Sequence, residues 1–370
     1  RNLIARDMRA GDAFYAAQEE SAQNQKYGLL RGVRDFNFYG DPSLLLKGIE
    51  DRPGGRDVLV TESSYKTFAA DYDDNGDMYV GVLVDNPSGT LSNITIYRST
   101  DHGKSWSGWT TVDGETEIIM DLGLLVGRHE EYHRLLVVYT TESGRVVVVR
   151  LSLSDPDNRS SSQIADHGVW AKNISLARDP VPMPGVYDVY AAWEYEDNGK
   201  YYITLYSSDD NGSSWSRLLT KSPYLMPSVD IGPEGNIYLA ALWDNDANDV
   251  GVFQSNDSGV NWSLFKVLTL GVGAQMHTAP DVAVSTDPSF PAVWVAYDFH
   301  DQDPVWGPGI DVHFAYSPDA GATWKLHNVL SADLGVDEWI PDLAGYRPAP
   351  NRWVNVAYNL DPYSSTGYPR

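Results

Sequence analysis

Cysteine is absent from this chain of 370 residues, so disulfides neither staple the fold nor report its compartment. Basic residues are scarce. Lys and Arg number 27 against 51 Asp and Glu, a formal net charge of −24. That balance argues against a nucleic acid or an anionic membrane as partner, because both attract basic surfaces. It is compatible with divalent cations or cationic ligands, and reads chiefly as a generally acidic extracellular or salt-adapted surface. No apolar run approaches the roughly 18 residues that a membrane span requires. No signal peptide is visible, but the sequence opens at Arg1, so a leader is expected to have been removed and the protein to work outside the cell or on its surface.

Aromatic and turn-forming residues are plentiful, with 23 Tyr, 12 Trp, 32 Gly and 21 Pro. That mixture suits many short strands joined by turns better than long helices. One motif punctuates it. "STDHGKSW" (99–106), "SDDNGSSW" (208–215), "SNDSGVNW" (255–262) and "SPDAGATW" (317–324) share Ser-x-Asp-x-Gly-x-x-Trp. The carboxylates of Asp101, Asp210, Asp257 and Asp319 are suited to accept backbone N–H groups of their own turn. Gly103, Gly212, Gly259 and Gly321 take a positive φ at no steric cost. Trp106, Trp215, Trp262 and Trp324 start the next strand and pack back over the turn. The unit therefore reads as a hairpin clamp with a structural role. The third copy departs mildly, with Asn261 where the others have Ser or Thr.

Four such copies resemble the Asp-box, or BNR, repeat of sialidase-like β-propellers. The resemblance covers roughly residues 56–370. It implies that the motif sits between the third and fourth strands of each blade, on the face opposite an active site. Repeats at about 40 to 50 residues also suit a propeller. Six apolar segments read as innermost strands: 67–73, 117–123, 173–179, 226–232, 279–285 and 339–345. The expected fold is all-β: a six-bladed β-propeller of four-stranded antiparallel blades with Asp-box turns, preceded by a short helical segment. The second blade lacks the motif and carries a worn turn at 146–157. Residues 1–55 form an N-terminal helical and irregular extension, with a helix over 11–25 capped by Asp12. The propeller spans 56–370. Its last blade stops after two strands, so the expectation is that either the polypeptide continues past Arg370 or the ring closes differently from this count. Strand 56–63 is expected to close the ring and satisfy the open sheet edge.

Loops on the face away from the repeat turns are rich in Asp, Glu and Asn, and Trp243 and Trp306 lie among them. Loops on a rigid scaffold are where binding residues gather. The starts of the inner strands should ring a channel mouth. Lys66, Trp170, His277, Trp306 and Trp339 are the ligand-binding candidates there. Glu117, Asp281 and Glu338 are the carboxylates available for glycoside hydrolysis, which uses two carboxyl groups roughly 5 to 10 Å apart. Asp281 and Asp342 each follow a proline, a recurrence that also fits a structural role. His277 has no second His at ligand spacing, so no transition-metal site is expected. No cofactor is expected, with Ca²⁺ a possibility. "DYDDNGD" (71–77) opens like an EF-hand loop but has Val82 at the twelfth position, and reads as a hairpin turn. Asp244, Asp246 and Asp249 are the surface cation candidates.

The catalytic set of the sialidases does not carry over. That family's first arginine opens blade one before Ile-Pro; here Lys66 occupies its place without Ile-Pro, and a lysine cannot form the arginine fork to a carboxylate. An acidic face would also repel an anionic sugar. Three readings remain: a glycan- or protein-binding module, a glycoside hydrolase acting on a neutral glycan, and a structural module of a surface assembly. Asn-x-Ser/Thr sites occur at Asn93, Asn158, Asn173, Asn211, Asn256 and Asn261.

Overall fold

The computed structural model describes residues 65–73, 75–84, 93–101, 103–112, 117–127, 134–180, 189–244, 249–268, 280–285, 287, 289–301, 309–329, 337–344 and 355–361. The N-terminal helix and the closing strand 56–63 expected from sequence lie outside them. Among the described residues the only helical element is a single 3-10 turn, Pro233–Gly235. All else that is regular is antiparallel strand.

The strands fall into two compact units. The first holds four sheets, each a four-stranded meander. They comprise β1 (Tyr65–Tyr72), β2 (Met78–Val84), β3 (Asn93–Ser99) and β4 (Ser107–Val112); β5 (Ile119–Val126), β6 (Arg134–Thr141), β7 (Arg145–Ser152) and β8 (Arg159–Asp166); β9 (Ala171–Arg178), β10 (Val189–Asp197), β11 (Lys200–Ser208) and β12 (Ser216–Lys221); β13 (Tyr224–Ile231), β14 (Ile237–Trp243), β15 (Val250–Ser255) and β16 (Ser263–Val267). The second unit holds β17 (Asp281–Val284), β18 (Val293–Asp301), β19 (Gly309–Ser317) and β20 (Lys325–Val329) in one sheet, and β21 (Asp337–Ala344) paired with β22 (Asn355–Asp361). Each segment read as an inner strand supplies the first strand of a sheet.

The middle strands are apolar throughout because both of their faces are covered. Side chains alternate across a strand. On β6, Leu135, Val137 and Tyr139 pack with the first sheet, while Leu136 and Val138 pack with the third. On β10, Ala191 and Trp193 face the second sheet, and Tyr190 and Ala192 face the fourth. The cores of the first unit thus lie between successive sheets. In the second unit Ala283, Trp294 and Ala296 pack with Leu343 of β21.

Polar side chains link successive first strands. Asp71 accepts the Val126 N–H (2.7 Å), Asp121 that of Ile174 (2.9 Å), and the Ser175 hydroxyl that of Val229 (3.0 Å). In the second unit, Asp281 accepts the N–H of Leu343 (2.5 Å). Arg178 adds a latch across three sheets, donating to Asp71 (2.7 Å) and to the carbonyl of Val126 (2.6 Å).

The four repeat turns share one hydrogen-bond scheme. The Asp Oδ1 accepts the serine hydroxyl at 2.8 to 2.9 Å and a backbone N–H four residues on, at 2.7 to 2.9 Å. Its Oδ2 takes a side chain from that same later residue. In the third copy the Asn261 amide does what Ser or Thr does elsewhere, donating to Asp257 Oδ2 at 2.6 Å. In the last three copies the glycine follows a residue already at positive φ: Asn211 (56°), Ser258 (55°) and Ala320 (53°). A methyl group at Gly212 would meet Leu136 of the second sheet, and one at Gly259 would meet Leu218 of the third. These two turns therefore pack the third sheet onto the second and the fourth onto the third. The "DYDDNGD" segment is a hairpin turn, with Asp73 Oδ1 accepting the N–H groups of Asn75 (2.9 Å) and Asp77 (3.0 Å).

Candidate functional site

In the first unit, the β8–β9 and β12–β13 links lie at the end opposite the repeat turns. The third sheet builds the best-formed group of polar and aromatic side chains there. Trp170 ends the β8–β9 link and is half-buried. Its ring lies 6.1 Å from that of Tyr201, tilted by 56°, and the Lys172 ammonium sits 4.8 Å from its centroid. Lys172 also pairs with Glu194 at 3.6 Å, and their side chains are 43% and 1% exposed. Glu194 is held from behind, since Oε2 accepts the Met226 N–H of the neighbouring sheet at 2.6 Å. A buried carboxylate thus orients an ammonium that itself reaches solvent beside an indole.

Two bulges make this possible. The β9–β10 register slips between Ala192 and Glu194, and the β13–β14 register between Leu225 and Ser228. Asn173 (φ 56°) and Met226 (φ 49°) adopt left-handed conformations there. Non-glycine residues at positive φ are uncommon and collect where function needs a particular geometry.

A separate aromatic stack lies on the opposite face of the third sheet, toward the second sheet. His167 lies face to face with Tyr195 (3.9 Å, 14°), and Tyr195 with Tyr202 (5.1 Å, 10°). His167 Nε2 accepts the indole N–H of the fully buried Trp193 at 2.9 Å. Burial holds the imidazole well below its ordinary value, at about 4, so it is neutral at pH 7. The backbone N–H of His167 donates to Gly144 O, tying the link to the second sheet.

The sequence candidates fare unequally. Trp170 joins the platform. Glu117 stands at the same end of the second sheet but is already engaged, accepting the Ser143 hydroxyl (2.5 Å) and facing Arg145 (3.6 Å). The Ser143 hydrogen bond, with smaller help from Thr141 and Arg145, holds its carboxyl below the usual range, which suits an ionised group and not a proton donor. Asp281 fastens β21 to β17 through the Leu343 N–H. Asp121 is pushed upward by burial, against the N–H groups of Ile174, Leu122 and Asn173; both of its oxygens accept backbone bonds, so it too is structural. His277 and Trp306 lie outside the described residues, as do the side chains of Lys66, Glu338 and Trp339. Among the described residues no group of three His, Asp or Glu converges on a cation. Asp244 is exposed, Asp249 is buried, and Asp246 lies outside the described residues.

Glu194, Tyr201 and His167 were not singled out from sequence. Glu194 and Tyr201 flank a polar hairpin turn, a weak signal. Nothing in the sequence marks His167. Of the six glycosylation motifs, that at Asn173 has its amide nitrogen fully buried, and Asn211 is 7% exposed inside its turn.

No protein-family model and no curated protein matches the chain. Solved structures do. A Penicillium chrysogenum alpha-L-arabinanase complexed with arabinobiose aligns over 82% of this chain and 97% of its own, at 15% identity and a TM-score of 0.50. The NanB sialidase of Streptococcus pneumoniae aligns over 85% and 69%, at 9% identity and a TM-score of 0.56. The Aleuria aurantia lectin in complex with Fucalpha1-6GlcNAc aligns over 85% and 98%, at 10% identity and a TM-score of 0.51. At such identities the likeness is one of fold alone, and the fold is an all-β propeller of four-stranded antiparallel sheets.

Proposed function

We propose that the chain is a glycan-binding module that receives its ligand on the platform of Trp170, Tyr201 and Lys172. The carrying observation is the half-exposed indole beside an ammonium that a buried Glu194 holds in place. The C–H face of a sugar is apolar and its rim is polar. An aromatic face gives the first a surface to cover, and Lys172 and the Tyr201 hydroxyl offer partners to the second. The charges favour a neutral glycan, because Lys172, the cation on the platform, is already paired with Glu194 and the chain as a whole is acidic. Binding is favoured over hydrolysis because Glu117 and Asp281 are both committed to contacts within the protein. Several fold neighbours are glycosidases or lectins, which fits a sugar ligand. The acidic surface fits work outside the cell or at its surface.

A glycan array, followed by titration of the best neutral hit, tests the reading. Trp170→Ala is expected to weaken binding by roughly thirtyfold, about 2 kcal/mol for a central aromatic anchor. Unchanged affinity in that variant overturns the platform. Turnover of a neutral glycoside, lost in Glu117→Gln, would make the protein a hydrolase instead.

A further inference from the structure

We infer that Arg134 and Arg150, where the second sheet meets the 208–215 turn, form a binding site for a small oxoanion such as sulfate, phosphate or a carboxylate. Arg134 pairs with Ser152 and Leu136 with Arg150 across β6 and β7. Paired residues share a face, as do residues two apart. The two arginines are therefore diagonal neighbours on one face, with Cβ atoms about 7 to 8 Å apart. Both are half-buried. This face packs on the repeat turn of the third sheet: a methyl group at Gly212 would lie 3.1 Å from Leu136 and 3.6 Å from Arg150 Cδ. The site sits at the repeat-turn end, away from the Trp170 platform.

Four other cations of the first unit have carboxylate partners. Arg98 is matched with Asp77, Arg145 with Glu117, Lys172 with Glu194 and Arg178 with Asp71. In a chain with 51 carboxylates, neither Arg134 nor Arg150 has an ion-pair partner among the described residues. Arg150 donates to the Ser213 hydroxyl, and its Nε is buried with no acceptor. Asp210 is the one carboxylate that offsets its charge, and its oxygens already accept from Ser208 and Ser214. Partial burial and the charge of Arg134 both weigh against a proton on Arg150. Two neighbouring guanidiniums repel each other, among the described residues only Asp210 offsets Arg150, and an anion between them reduces that repulsion. Their forked donors match the edge of an oxoanion.

The test is thermal unfolding of the whole chain titrated with sodium sulfate, phosphate or glucuronate, against sodium chloride at matched ionic strength. A saturable rise in Tm is expected with at least one oxoanion, its apparent affinity falling roughly tenfold in Arg150→Gln and in Arg134→Gln. Arg134 makes no side-chain hydrogen bond among the described residues, so its variant keeps the test open if Arg150→Gln folds poorly. Response to glucuronate alone would mark a sugar carboxylate as the ligand; response to sulfate or phosphate would mark a tetrahedral anion. General stabilisation by sulfate is not saturable and is equal in the variants. The proposal is overturned by the absence of any saturable shift, by equal affinity in both variants, or by affinity that emerges only in Glu130→Gln/Glu131→Gln. That last result would mean that the chain's own carboxylates already occupy the arginines.

Discussion

Replacing Arg178 by Met should cost about 3 kcal/mol of stability. Arg178 and Asp71 are only 16% and 13% exposed, and the bridge joins residues 107 apart in the chain. Breaking a fully buried pair by removing one partner costs about 3 to 5 kcal/mol, because the remaining charge is left without a counter-ion. Asp71 keeps two donors, the N–H groups of Tyr72 and Val126, which places the cost at the lower end. Part of the loss belongs to Asp71, so a second change there recovers it. Asp71→Asn combined with Arg178→Met should cost less than the sum of the single variants by at least ~1 kcal/mol. Equilibrium urea unfolding of the four proteins of this cycle, read by tryptophan fluorescence, measures both quantities. A single-variant loss under ~1 kcal/mol, or additivity within about 0.5 kcal/mol, would refute the view that this ion pair latches three sheets together.

Acid should destabilise the protein through His167. Its folded value of about 4 lies below the ordinary 6.5, so between these pH values the unfolded chain takes up a proton that the folded one refuses. Stability should therefore fall as pH drops from 6.5 towards 4, by about 3 kcal/mol for a fully closed ring and about half that for this partly buried one. His167→Gln should flatten that part of a stability–pH curve; an unchanged slope would show that other groups cause it. Gly144→Ala should destabilise by more than ~3 kcal/mol, because φ is +88° and the new methyl would run into the backbone of Val169; calorimetry checks it. Asn261→Ser should leave the unfolding midpoint nearly unchanged, since serine makes the equivalent contact in two sister turns. Expressed through a eukaryotic secretory pathway, the chain should carry no glycan on Asn173 or Asn211, while the exposed Asn158 remains open to modification by mass spectrometry.

The parts of this protein legible in its sequence are those whose interactions close within a few residues. A turn such as Ser208 to Trp215 carries its own donors and acceptors, with contacts two to four residues apart, so its residue types announce its shape. The apolar middle strands are legible too, since burial on both faces leaves a nearly unbroken hydrophobic run, as in β6 and β14. The Pro-Asp recurrence marked Asp281, whose carboxylate accepts the Leu343 N–H. The platform was only half legible: Trp170 stood out as an aromatic at the start of an inner strand, but its setting did not. Lys172 meets Glu194 across a bulged pair of strands, and Glu194 meets Met226 from the next sheet, 32 residues on. Glu117 looked like a free carboxylate until Ser143, 26 residues away, was seen to hold it. Composition and local pattern therefore determined the strands, the turns and the propeller class. Which carboxylates are committed, which arginines lack partners and which aromatics stack depended on strand register and on sheet meeting sheet, contacts between residues far apart in the chain.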